Sequence, residues 1–191
     1  MRCLLCESLS FTHICKSCQI TYLTPSIYKR KLDNNIEVIS FYKYEEIKDL
    51  LHTKHTDIGY YFYKILAQNS FKIFAQNFNY IKKIISIAID DNPKDKYSHT
   101  AILNHSLKSK SIKPIYSKLR ATSSVTYSGQ TKEFRLNNPR NFELLEFSEK
   151  SIILVDDIIT TGSTLNQAIT LLHNKNKEVL FCIVLTDVNI K

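Results

Sequence analysis

The sequence predicts an α/β fold: a parallel sheet flanked by helices, with a small N-terminal four-cysteine zinc knuckle ahead of it. Three observations predict this. Ile152-Ile153-Leu154-Val155 is a continuous apolar run, the mark of a strand covered on both faces. A helical apolar pattern at Leu165, Ala168, Ile169 and Leu172 follows, then a second apolar run from Val179 to Leu185. Together they read as a β-α-β unit, parallel and right-handed by default. The third observation is at the other end, where four of the five cysteines form two C-x-x-C pairs.

Cys3-x-x-Cys6 and Cys15-x-x-Cys18 offer four thiolates, a full tetrahedral set for a structural Zn²⁺. A segment this short cannot build a core, so metal binding would supply its folding energy. The knuckle is assigned residues 1–24. Residues 25–35 carry Lys29, Arg30 and Lys31 and read as a connector, and the main domain is assigned 36–191. Cys182 lies inside an apolar run and reads as a small core residue.

Within the main domain, Ile36 to Tyr44 is rich in β-branched and aromatic residues and predicts a strand. A short helix over 45–52 and a polar turn at Lys54–Asp57 follow. Ile58, Tyr61, Phe62, Ile65 and Leu66 then have helical spacing. The aromatics Tyr60 to Tyr63 circle that helix, and core or interdomain packing explains them better than base stacking. Ile84 to Ile89 predicts a strand ending in the loop Asp90–Asp95, where Lys94 and Lys96 suit a pyrophosphate. Ser98 caps the next helix and puts His99 in its first turn. Ile112 to Ile115 reads as a further strand, and residues 120–142 as polar and irregular, a functional loop or a disordered segment.

The stretch after Val155 carries the chemistry. Side chains alternate along a strand, so a strand continuing through Asp156 and Asp157 would drive one carboxylate into the core. The expectation is therefore that the strand ends at Val155, with both acids on the carboxyl edge of the sheet. Thr160-Thr161-Gly162-Ser163-Thr164 then reads as a phosphate cradle at a helix N-terminus, with Gly162 allowing close backbone approach. Two carboxylates beside such a nest suit a sugar phosphate. The carboxylates accept from a diol, or hold Mg²⁺ through water. No Walker P-loop sequence occurs.

The net charge is +8, and it is uneven. Lys96 to Lys132 holds seven cations and no acid, while the rest is almost neutral. Lys108, Lys110, Lys113, Lys118 and Arg120 are the nucleic-acid-binding candidates in this window. The first residues lack the apolar core of a signal peptide, and no apolar run reaches about 18 residues, so the chain reads as cytoplasmic.

Residues 152–164 resemble the phosphoribosyl-pyrophosphate (PRPP) motif of the type I phosphoribosyltransferases. The layout as a whole resembles the competence-associated ComF family. The residues that carry this are the four-cysteine knuckle, the lysine segment near Lys54 and the helix opening Lys96-Tyr97-Ser98-His99. Gln130 with Arg135-x-x-Asn138, and the PRPP motif itself, complete the set. The resemblance implies ribose contacts from Asp156 and Asp157, and 5′-phosphate contacts from Thr160, Thr161, Gly162, Ser163 and Thr164. It implies PRPP with Mg²⁺ as ligand and a role in natural transformation, with single-stranded DNA and proteins of the DNA-uptake machinery as partners. Where the family commonly has Val-Pro and then Arg-Gly-Phe-Asn, this chain has Ile89-Asp90-Asp91 and Asp95-Lys96-Tyr97-Ser98, which leaves group transfer open. If transfer occurs, Lys132, Arg135 and Arg140 are the candidate cations of a closing loop. The competing readings are a metabolic phosphoribosyltransferase and a PRPP-sensing regulator without DNA binding.

Overall fold

The computed structural model describes residues 1–89, 97–122 and 140–190. Six strands form the main sheet: β1 (Tyr28–Lys31), β2 (Glu37–Lys43), β3 (Ile84–Ala88), β4 (Ile112–Ile115), β7 (Ser151–Ile159) and β8 (Glu178–Asp187). Their spatial order is β1-β2-β8-β7-β3-β4, and all pairings are parallel except β1 with β2. β5 (Leu119–Ala121) and β6 (Phe142–Leu144) pair antiparallel as a separate ribbon. This is the α/β, mostly parallel architecture the apolar runs predict.

Helices cover both faces. α2 (Tyr44–His52), α3 (Asp57–Asn69), α4 (Phe71–Asn77) and α5 (His99–Ser106) lie on one side, and α6 (Ser163–Asn174) on the other. Alternation along β7 supplies both cores: Ile153 and Val155 join the first cluster, and Ile152 and Leu154 join the second. Each such fully buried aliphatic side chain contributes about 1.5–3 kcal/mol of transfer free energy. α6 places Leu165, Ala168, Ile169 and Leu172 on the sheet, the four residues whose spacing predicts it.

This topology creates a switch point. From β3 the chain runs through α5 to β4 on one side, and from β7 it runs through α6 to β8 on the other. β3 and β7 are neighbours, paired through Ala88 and Val155. Open α/β sheets bind ligands in the crevice at the carboxyl ends of two such strands.

Several elements have no clear sequence signal. The stretch 25–35 contains β1, which lies antiparallel to β2 as an edge strand. A short helix, α1 (Lys16–Tyr22), follows Cys15, whose sulfur caps it by accepting from the Cys18 N–H. The β5–β6 ribbon falls within or beside the region read as irregular. Elements this short form because neighbours pack on them, not because of their own propensity.

The knuckle is docked on the main body. Cys3, Ile14, Cys18 and Leu23 are buried in the same cluster as Phe41, Tyr42 and Tyr63. The Tyr42 hydroxyl donates to the Leu23 carbonyl at 3.0 Å. The α3 aromatics divide: Phe62 and Tyr63 are buried, while Tyr61 stacks on His13 of the knuckle at 4.1 Å. No helix among the described residues is long and apolar enough to cross a membrane.

The turn between α2 and α3 is tightly built. Thr56 caps α3 by accepting from the Gly59 N–H. A Cβ on Gly59 would lie 2.1 Å from the Thr53 carbonyl oxygen and 2.5 Å from the Tyr97 hydroxyl. Backbone cannot yield as a flexible side-chain end can. Gly59→Ala is therefore expected to cost about 1–3 kcal/mol, read as a fall in the urea midpoint at unchanged slope.

Candidate functional site

The acids do not end the strand. β7 continues to Ile159, so Asp156 and Asp157 are strand residues, with Asp156 paired to Val184 and Ile158 to Thr186. This corrects the expectation that the strand stops at Val155. The burial cost that motivated that expectation is offset by dedicated partners.

Asp157 points toward the α2–α5 layer. Its Oδ2 faces His99 Nε2 at 3.2 Å and Lys54 Nζ at 3.4 Å, and accepts from the Tyr63 hydroxyl at 3.3 Å. Its Oδ1 accepts from the Ile158 N–H at 2.8 Å. Burial alone would raise this carboxyl, but Lys54 and His99 outweigh it and hold Asp157 well below the usual carboxylate range. Asp156 lies toward the α6 side, where Arg140 and Cys182 feel its charge. Burial, with the neighbouring Asp157 charge, pushes Asp156 up to about 8, and Arg140 opposes this. Burial and the Asp157 charge likewise hold Tyr63 well above the usual phenol range. The Asp157 N–H donates to Asp156 Oδ1 at 2.9 Å, and of the two carboxyls Asp156 is the one whose surroundings favour the proton. A pair of this kind offers one acid that can donate and one that only accepts, which matches a vicinal diol.

The loop after β7 is held from outside. Gly162 has φ +82° and caps α6 in the left-handed region. A Cβ there would lie 2.6 Å from Leu32 Cδ2, so the glycine serves both conformation and packing. The Thr160 carbonyl accepts from Arg30 Nη2 and from Asn189 Nδ2, each at 2.8 Å. Arg30 Nε also lies 2.6 Å from Asp187 Oδ2. The Ser163 N–H donates to Thr161 Oγ1. Beyond the cap, the first-turn N–H groups of a helix lack intrahelical acceptors and favour an anion. Thr161 and Ser163 also line a cavity of about 560 Å³ that runs along α6 past Asn166, Gln167 and Phe142.

The remaining candidates are scattered. Arg140 is brought near Asp156, and its N–H donates to Gln167 Oε1 at 3.0 Å. Lys132, Arg135, Lys94 and Lys96 lie outside the described residues. Lys108 and Lys110 precede β4, at the amino edge of the sheet, away from the loop. Lys118 and Arg120 follow β4, Arg120 within the β5–β6 ribbon. Lys113 pairs with Glu149 at 3.2 Å, and Lys118 Nζ donates to the Glu146 carbonyl. Tyr63 and Arg30 have no signal in the sequence, since each meets the site only through the tertiary fold. Lys54 and His99 have only family resemblance to mark them.

The four cysteine sulfurs all lie within 4.8 Å of one another, with Cys6 and Cys15 3.6 Å apart and no disulfide among them. Tetrahedral Zn–S bonds of about 2.3 Å place sulfurs roughly 3.8 Å apart, so the cluster fits that ion. The Cys15 and Leu5 N–H groups donate to Cys3 Sγ at 3.2 and 3.4 Å. The hydrogen bond from Cys15 is the main cause that lowers the Cys3 thiol to about 6. The knuckle can hold a metal such as zinc through Cys3, Cys6, Cys15 and Cys18, with no open position for catalysis.

Residues 116–191 match the phosphoribosyl transferase domain. The match holds the acidic pair, the glycine loop and α6. Among solved structures, the chain is similar to an orotate phosphoribosyltransferase from Aeropyrum pernix, at 15% identity and TM-score 0.41 over 90% of this chain and 80% of that one. It is similar to an adenine phosphoribosyltransferase at 14% identity and TM-score 0.43 over 90% and 89%. Comparison with curated proteins returns no match.

Proposed function

We propose that this chain binds PRPP with Mg²⁺ at the sheet's switch point. Asp156 and Asp157 would take the ribose hydroxyls, and Thr160, Thr161, Gly162, Ser163 and Thr164 the 5′-phosphate. The observation that carries this reading is a buried, unequal acid pair, followed by a left-handed glycine cap, in the segment that matches the phosphoribosyl transferase domain. Mg²⁺ would enter with the ligand and neutralise its pyrophosphate.

The finer reading is a ComF-like protein that handles incoming single-stranded DNA in the cytoplasm during natural transformation. It rests on the resemblance set out above and on the cysteine cluster. The organisation that goes with it is a zinc knuckle over 1–24, a connector over 25–35 and a phosphoribosyltransferase-like domain from 36 to 191. Lys108, Lys110, Lys113, Lys118 and Arg120 are its DNA contacts, and the uptake machinery supplies protein partners. A role for Lys132, Arg135 and Arg140 in group transfer belongs to the alternative, a metabolic phosphoribosyltransferase. Pyrophosphate release on addition of candidate acceptors separates the two.

Thermal unfolding tests the core of the proposal. PRPP with Mg²⁺ at about 100 times its Kd should add ~2.7 kcal/mol, a rise of roughly 5–10 °C for a chain this size. Asp156→Asn/Asp157→Asn should abolish the rise. No shift in wild type at millimolar PRPP would sink the reading.

A further inference from the structure

The Asp157 cluster holds more donors than one oxygen can serve. Lys54 Nζ, the Tyr63 hydroxyl and His99 Nε2 all converge on Oδ2, at 3.4, 3.3 and 3.2 Å. A carboxylate oxygen has two acceptor positions. Tight charge-assisted hydrogen bonds run at about 2.7–2.9 Å, so none of the three is closed. A ligand hydroxyl arriving at Asp157 must displace one of them.

The three are not equally able to leave. Tyr63 is fully buried in α3, and His99 sits in the first turn of α5 with its side chain 14% exposed. Lys54 is on a turn, its side chain is 26% exposed, and its contact is the longest. Its backbone is fixed, because the Tyr97 hydroxyl donates to the Lys54 carbonyl at 2.6 Å. A flexible four-carbon stem on a fixed backbone can swing without disturbing the fold. A cation freed in a half-buried crevice then needs another anion. The 5′-phosphate is taken by the loop at α6, so a neutral or monophosphate sugar leaves Lys54 without one.

We propose that Lys54 is an exchangeable counter-ion, paired with Asp157 as seen here and passing to the ligand's diphosphate when a ribose hydroxyl takes Asp157. This inference rests on the sugar-phosphate reading of the site and adds a selection rule to it. The site favours a ribosyl ligand that carries a second anionic group over one that carries the diol and 5′-phosphate alone.

The test is calorimetric titration of PRPP and of ribose 5-phosphate, both with Mg²⁺, into wild type, Lys54→Met and Lys54→Arg. Loss of a charged contact made only by PRPP should weaken PRPP by about 10- to 100-fold in Lys54→Met. Ribose 5-phosphate should stay within about threefold, since its diol faces one competitor fewer. Lys54→Arg should recover most of the PRPP affinity. Should Lys54→Met fail to fold, Lys54→Gln serves in its place. Equal weakening of both ligands, or no change in either, overturns the inference. Asp156→Asn/Asp157→Asn distinguishes the deeper failure. If that variant binds both ligands as wild type does, or if wild type binds neither, the site reading falls with the inference. If it loses both while Lys54→Met treats them alike, only the role of Lys54 is wrong.

Discussion

In a zinc-loaded chain, treatment with a chelator, or replacement of Cys18 with Ser, is expected to melt residues 3–24 and lower the melting temperature of the whole chain. The segment has almost no core of its own: Leu4, Leu5, Leu9 and Phe11 are exposed. Its shape depends on four sulfurs meeting at one point, and apparent binding free energies of ~10–16 kcal/mol in zinc-finger peptides set the scale of what the ion supplies. The loss propagates because Ile14 and Leu23 are buried in the main core. Releasing both would forfeit roughly 1.5–3 kcal/mol each, a fall on the order of 10 °C. The Tyr42–Leu23 hydrogen bond and the His13–Tyr61 stack would go with them. Thermal melts with and without chelator, beside a dye assay for released zinc, check this. A metal-free chain that melts at the same temperature would refute it.

Asp157→Ala is expected to destabilise the chain by about 3–5 kcal/mol, because Lys54, His99 and the buried Tyr63 hydroxyl all lose the same acceptor. The two acids should also differ in how they respond to pH. Asp157 has a depressed pKa, so its contribution is present at neutral pH and lost only in acid, below the ordinary carboxylate range. Asp156 has the opposite sign. Its carboxyl is raised from 3.8 to about 8, so the folded chain keeps a proton that the unfolded chain has released. Stability from that proton is full below about pH 4 and declines as pH rises toward 8. Urea melts of wild type and Asp156→Asn at pH 5 and pH 8 read this directly. The variant should gain on wild type at the higher pH. A difference that stays constant between the two pH values would mean Asp156 ionises as an ordinary surface acid.

The sequence by itself determined the elements that are long and periodic. The apolar runs 152–155 and 179–185 read as strands covered on both faces, and the fold has them as β7 and β8. The four core residues of α6 stand at helical spacing, and two C-x-x-C pairs in a short segment leave little but a metal to hold it. The acid pair and the glycine loop were legible as well, because side-chain type and order along one strand–turn–helix carry that chemistry.

Only the tertiary structure decided where the strand ends and what surrounds it. Sequence reasoning stopped β7 at Val155 because a buried carboxylate is costly. The fold lets it run to Ile159 because Lys54, Tyr63 and His99 arrive from three other elements. Arg30 reaches Thr160 across 130 residues of chain, and no local pattern encodes that meeting. The basic window is the converse case. It is one block in sequence, yet Lys113 is taken up by Glu149 and Lys118 by the Glu146 carbonyl, acceptors 36 and 28 residues further along the chain. Periodicity records which face of an element is apolar. It does not record which other element will cover that face, and the electrostatics of this site belong to that second choice.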